Sequence, residues 1–148
     1  MNRVKAMSES QARFYAAELI LAIRHLHENL DTVYRDLKPS NVALTDDGHI
    51  ELIDFGLCKQ NINFFEKAHT FCGSSAYLSP EMITGEGHGK AIDWYGIGVL
   101  FYELVTGMPP FFDQSPEKMM QNIKNGHLDL SIKFSDEGKD FLLKVSCS

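Results

Sequence analysis

The chain has 148 residues, enough for one domain with a single sizeable core, and its 44% hydrophobic and 23% charged residues are ordinary for a globular protein. A net charge of −6 argues against a phosphate-backbone binder, so no nucleic-acid partner is expected. Cys58, Cys72 and Cys147 are odd in number and form no C-x-x-C pair, which argues against a disulfide framework or a zinc site and suits a reducing, cytoplasmic setting, with the nucleus as the alternative.

The start, MNRVKAMSES, is basic but lacks the apolar stretch of a secretory signal. A first helix is expected from about Glu9 to Glu28. Tyr15, Leu19, Ala22 or Ile23, and Leu26 recur at helical spacing, and Ser8 with Gln11 reads as a capping box. His25 and His27 lie two apart on it and point to different sides, so they cannot jointly grip a metal; all six histidines read as solvent-facing or edge residues. NVAL and HIELI then flank Asp46-Asp47-Gly48, a turn signal, which predicts a small β-hairpin. Asp54 to Glu81 holds no sustained period, and a structureless stretch of that length inside a compact domain is usually functional or disordered.

The run AIDWYGIGVLFYELV is shorter than the ~18 residues of a membrane span and is interrupted by Asp93 and Glu103. Apolar on nearly all sides, it predicts a buried central helix from about Ala91 to Thr106, with Gly107 as C-cap and Pro109-Pro110 as a stop. Another helix should start with Ser115 as N-cap and Pro116 at its first position and end near Gly126, and a last one follows Ser135. The class is mainly α with a small β-hairpin.

Chemistry concentrates around that hairpin. Asp36 and Lys38 precede it, Asn41 opens its first strand and Asp54 closes its second. A tight hairpin brings its ends together, so Asn41 and Asp54 form a pair of oxygen donors of the kind that suits magnesium together with phosphates and water. A carboxylate and an ammonium beside them could orient a hydroxyl and neutralise a phosphoryl group. Singly, Asp36 and Asp54 read as turn residues and Lys38 as a solvated charge; in this order the set argues for phosphate chemistry.

With these residues in place the sequence resembles the protein kinases. YRDLKPSN at 34–41 is similar to the catalytic loop H-R-D-x-K-x-x-N with Tyr34 in place of His, and Asp54-Phe55-Gly56 to the magnesium motif. Ser79-Pro80-Glu81 resembles the motif that closes the activation segment, with Ser for Ala, and DWYGIGVLFYELVTGMPPF resembles the buried helix of the larger lobe. Tyr34, DFGLCK and HTFCGS point to the AGC group of serine/threonine kinases, of the ribosomal S6 kinase and Akt-like type.

The resemblance implies one partial domain over 1–148: the C-terminal lobe of the protein kinase-like fold, incomplete at both ends, with its catalytic loop at 34–41 and activation segment at 54–81. No glycine-rich loop precedes the catalytic loop, and no arginine follows Arg35 to pair with Glu81. The implied cofactors are ATP and Mg2+. Asp36 would orient the substrate hydroxyl, Lys38 would steady the γ-phosphate, and Asn41 and Asp54 would hold the metal. Thr70 falls at the activation-loop phosphosite, a target for an upstream kinase, with Arg35 and Lys59 as its cationic partners. Ser74 would brace the catalytic Asp and Lys, Asp93 would tie the buried helix to the catalytic-loop backbone, and Glu103 would favour arginine upstream of the target hydroxyl in protein substrates. The other function to weigh is a non-catalytic lobe that docks substrates or competes with a complete kinase.

Overall fold

The structure, a computed structural model, describes residues 5–60, 75–85, 88–131 and 134–146. Thr70 and Ser74 lie outside these residues, as do Cys72 and Cys147. Five helices and four short strands run in the order α1 (Glu9–Asn29), β1 (Thr32–Val33), β2 (Val42–Leu44), β3 (Ile50–Leu52), β4 (Lys59–Gln60), α2 (Pro80–Thr84), α3 (Ala91–Thr106), α4 (Pro116–Asn125) and α5 (Asp136–Ser146). Single 3-10 turns at Pro39–Asn41 and Ser75–Tyr77 complete the elements of the described residues.

The local signals act as read. Ser8 and Gln11 form the capping box of α1, satisfying N–H groups that the first turn leaves open. Ser115 caps α4. Gly107 (φ 86°) and Gly126 (φ 64°) end α3 and α4 in the left-handed conformation that a side chain resists.

Helix α3 is the axis of the core. From Tyr95 to Glu103 every residue on it is buried. On one side Ala12, Ala16, Phe101, Tyr102, Val105, Phe134 and Leu142 join α1, α3 and α5. On another, Leu19, Ile23, Leu26, Tyr34, Leu37, Ile97 and Leu100 seat the segment 34–37 between α1 and α3. Two glycines let backbones approach: a Cβ on Gly96 would stand 3.1 Å from Leu37 Cβ, and one on Gly98 would stand 2.5 Å from Val145 Cγ2.

Two expectations are corrected. β2 and β3 form the predicted antiparallel hairpin, with Val42 opposite Leu52 and Leu44 opposite Ile50, but a second antiparallel pair joins β1 to β4, with Val33 opposite Lys59. Its partners are two residues long and distant in sequence, so no turn signal announces it. The histidines are not all at the surface either: His27 is 6% exposed and His88 3%. His27 lies four residues after the buried Ile23, on the inner stripe of α1.

Candidate active site

The turn from Tyr34 to Asn41 is held from beneath by one buried carboxylate. Asp93, 1% exposed in the first turn of α3, accepts the Tyr34 N–H on Oδ2 and the Arg35 N–H on Oδ1, both at 2.8 Å. His27 Nε2 lies 2.7 Å from the same Oδ2, and the Trp94 ring packs edge-on against His27 at 5.3 Å. Lys90 adds a bond from Nζ to the His27 carbonyl at 2.8 Å and an ion pair with Asp31 at 2.7 Å. Arg35 adopts a positive φ of 71°, a conformation that costs a side-chain-bearing residue free energy and persists where surrounding bonds impose it. The expectation that Asp93 ties α3 to the loop backbone is therefore met in geometry, and His27 is the partner that spacing alone did not single out.

Above this support the chemical groups converge. Asp36 is 5% exposed. Its Oδ2 accepts from Lys38 Nζ at 2.6 Å and from Asn41 Nδ2 at 2.9 Å, and Asn41 Nδ2 also reaches the Asp36 carbonyl at 2.9 Å. Asp36 Oδ1 has no hydrogen-bond partner among the described residues. A buried carboxylate with one oxygen bonded and the other open among the described residues can accept a further donor.

The second half of the site stands at the end of the hairpin. Ile53 N–H donates to the Asn41 carbonyl at 2.9 Å, which holds the two strand ends side by side as the hairpin argument requires. Asp54 follows with φ 60°, and its Oδ1 accepts the Gly56 N–H at 3.2 Å. Tyr34, fully buried, donates its hydroxyl to the Ile53 carbonyl, and its ring meets Phe55 edge-on at 5.4 Å. Burial pushes the Tyr34 phenol well above its ordinary pKa, with Cys58, Asp36 and Asp54 adding to the effect, so the group acts as a hydrogen-bond donor. Phe55 remains 51% exposed, with Ile53 at 43%, Leu44 at 62% and Leu30 at 51%.

The remaining expected residues fall on either side. Arg35 Nε donates to the Leu57 carbonyl at 2.6 Å, while its Nη1 is buried without a partner among the described residues. Lys59 is exposed on β4. Cys58, half-buried, has its thiol pushed up to about 11 by burial. Glu103 is 2% exposed on α3, and its Oε2 accepts the Tyr77 hydroxyl at 2.6 Å. Burial raises the Glu103 pKa, and the Tyr77 bond opposes that rise. The Tyr77 contact links α3 to the 3-10 turn before α2, and no local pattern signals it.

The donor set fits magnesium: Asn41 and Asp54 contribute oxygen at adjoining strand ends, few enough to leave room for phosphates and water. Among the described residues no group of three or more His, Cys, Asp or Glu side chains offers a separate metal centre.

A buried loop aspartate is tied to a lysine and an asparagine, over a helix-borne aspartate that grips the loop backbone. The chain belongs to the protein kinase domain family, whose profile matches residues 1–147. Within that family it is similar to AGC-group serine/threonine kinases. The serine/threonine-protein kinase YPK1 of Saccharomyces cerevisiae is 49% identical over 134 residues, 90% of this chain and 20% of that protein. Protein kinase 2 of Dictyostelium discoideum is 46% identical over 96% of this chain and 29% of its own length. The akt-1 kinase of Caenorhabditis elegans is 44% identical over 91% and 25%. The chain thus spans between a fifth and a third of the curated relatives it matches.

Proposed function

We propose that the chain is the C-terminal lobe of a serine/threonine protein kinase and supplies the acceptor side of phosphoryl transfer from Mg–ATP to a protein hydroxyl. The observation that carries this reading is the Asp36–Lys38–Asn41 cluster, with Asp36 Oδ1 open among the described residues. In this reading Asp36 Oδ1 accepts the hydrogen bond of the incoming hydroxyl and orients its oxygen. Lys38, already drawn to Asp36 at 2.6 Å, stands where a transferring phosphoryl group would need a cation. Magnesium, when bound at Asn41 and Asp54, neutralises phosphate charge and orients the transferred group. The Tyr34 hydroxyl holds the backbone one residue before Asp54.

Thr70 is proposed as a regulatory phosphosite, with Arg35 and Lys59 as its partners. Support comes from Arg35 Nη1, buried without a partner among the described residues, and from β4, which carries Lys59 opposite Val33, two residues before Arg35. Ser74 is proposed as a brace for Asp36 and Lys38. Recognition of a substrate arginine by Glu103 would require the Tyr77 hydroxyl to yield its place. A cytoplasmic location belongs to the same proposal; among the described residues no helix is long and apolar enough to cross a membrane.

The test joins the chain to the nucleotide-binding part of a relative and measures magnesium-dependent transfer to a serine peptide with an upstream arginine. Asp36→Asn and Asp54→Asn are each expected to lower the rate by about 100-fold or more. Near-normal rates in either variant would remove the assigned roles. A non-catalytic docking lobe is favoured by the exposed apolar side chains Leu30, Leu44, Ile53 and Phe55. Partner binding that survives both substitutions, with no transfer in the joined protein, would select that reading.

A further inference from the structure

The hairpin that ends at Asp54 is seated on α1 by a contact outside the phosphate-handling cluster. Glu18, on the middle of α1, uses both carboxylate oxygens on the hairpin. Oε2 accepts the backbone N–H of Ile50 at 2.9 Å, and Oε1 pairs with His49 Nδ1. The turn that presents His49 is itself ordered: Thr45 N–H donates to the His49 carbonyl at 2.9 Å, Gly48 N–H returns to the Thr45 carbonyl at 2.9 Å, and the Thr45 hydroxyl bonds Asp47. The Phe14 ring of α1 lies 5.9 Å from the imidazole. Three residues beyond Ile50, the Ile53 N–H closes on the Asn41 carbonyl, so β3 is a short rigid link between the Glu18 contact and the paired strand ends.

We propose that Glu18 is a positioning residue for the Asn41–Asp54 end of the hairpin, and that its hold is governed by a proton on His49. The ion-pair half of the clasp exists only with His49 protonated; the Ile50 half is independent of that proton. The charged groups facing His49 are Glu18 from α1 and Asp47 from its own turn. The Glu18 bond, then its charge, raise the His49 pKa above the ordinary 6.5, and the His49 bond is the main cause that lowers Glu18 below 4.5. A raised histidine pKa adds stability in full below the unfolded value of 6.5 and loses it as pH rises through the folded value. The clasp therefore loosens as pH rises through the raised His49 value. The functional weight of this device rests on the magnesium reading of Asn41 and Asp54, but the clasp can be measured without metal.

Amide exchange of the 148-residue chain, corrected for intrinsic rates, is followed from pH 5.5 to 8.5 at Ile50 and Ile53, with the His49 titration read by NMR. Protection at both amides is expected to fall by up to about fivefold through the His49 midpoint, the ceiling for an exposed ion pair. His49→Gln removes the step. Glu18→Gln keeps an acceptor for Ile50, removes the step and lowers the His49 midpoint, whereas Asp47→Asn retains the step. A flat wild-type profile, a step surviving in His49→Gln, or a step at Ile50 that never reaches Ile53 overturns the proposal. Mg–ATP affinity of the protein joined to the nucleotide-binding part of a relative, measured over the same range, separates the two readings: expected amide profiles without metal–nucleotide binding in the joined protein support the clasp and count against the magnesium site.

Discussion

The two halves of the site are built differently. The Asp36 half rests on buried polar contacts: Asp93 spends both oxygens on backbone N–H groups and adds His27, with Asp93, Tyr34 and His27 all at or below 6% exposure. The Asp54 half is an exposed strand end, held by one backbone bond, the Tyr34 hydroxyl and a surface carboxylate–imidazole pair. Low dielectric makes the first network strong when complete and costly when broken, while the second trades small amounts of free energy against solvent. A rigid half around Asp36 and an adjustable half around Asp54 follow, and substitutions should reproduce the contrast.

The largest effect should come from Asp93→Ala. It strands the Tyr34 and Arg35 N–H groups and the His27 ring in a buried site, and a loss of about 3–5 kcal/mol is expected in urea unfolding. A loss under about 1 kcal/mol would erase the distinction between the halves.

Packing beneath the buried half gives the next effect. Gly98→Ala sets a Cβ 2.5 Å from Cγ2 of Val145, a β-branched residue with little rotamer freedom, and should cost about 1–3 kcal/mol by overpacking. Gly48→Ala in the hairpin turn meets no atom within 4 Å, and its penalty is confined to the positive φ of 87°, about 1 kcal/mol. Equal thermal shifts from different causes would be told apart by crystal structures, in which only the first displaces α5.

Tyr34→Phe probes the joint between the halves. The ring and its contact with Phe55 stay, while the bond to the Ile53 carbonyl goes, for about 0.5–1.5 kcal/mol. Metal affinity at Asn41 and Asp54 should weaken while the Asp36 cluster stays in place by NMR.

The smallest effect is a change of slope. Glu103 has a pKa raised by burial, so between its unfolded value of 4.5 and its folded value the native state holds more protons than the unfolded one, and stability falls as pH rises through that window. Glu103→Gln keeps an acceptor for Tyr77 and should remove this share of the slope. Unfolding curves for both proteins from pH 4.5 upward test it; parallel profiles would show that Glu103 does not titrate differently on folding.

What was legible in the sequence was local. The capping box at Ser8, the proline-started α4, the glycine ends of α3 and α4, the hairpin around Asp46-Asp47-Gly48 and the Asp36, Lys38, Asn41 cluster all depend on groups a few residues apart, where spacing nearly dictates contact. Tertiary structure decided the rest. Asp93 meets Tyr34 across 59 positions, Glu103 meets Tyr77 across 26, Glu18 reaches Ile50 across 32 and Glu9 caps the start of α5 at Ser135 across 126. The β1–β4 pair and the burial of His27 belong to the same class. No periodicity encodes such partners, because each exists only after the apolar faces of α1, α3 and α5 have packed and brought distant polar groups into a space where an unpaired one would be costly.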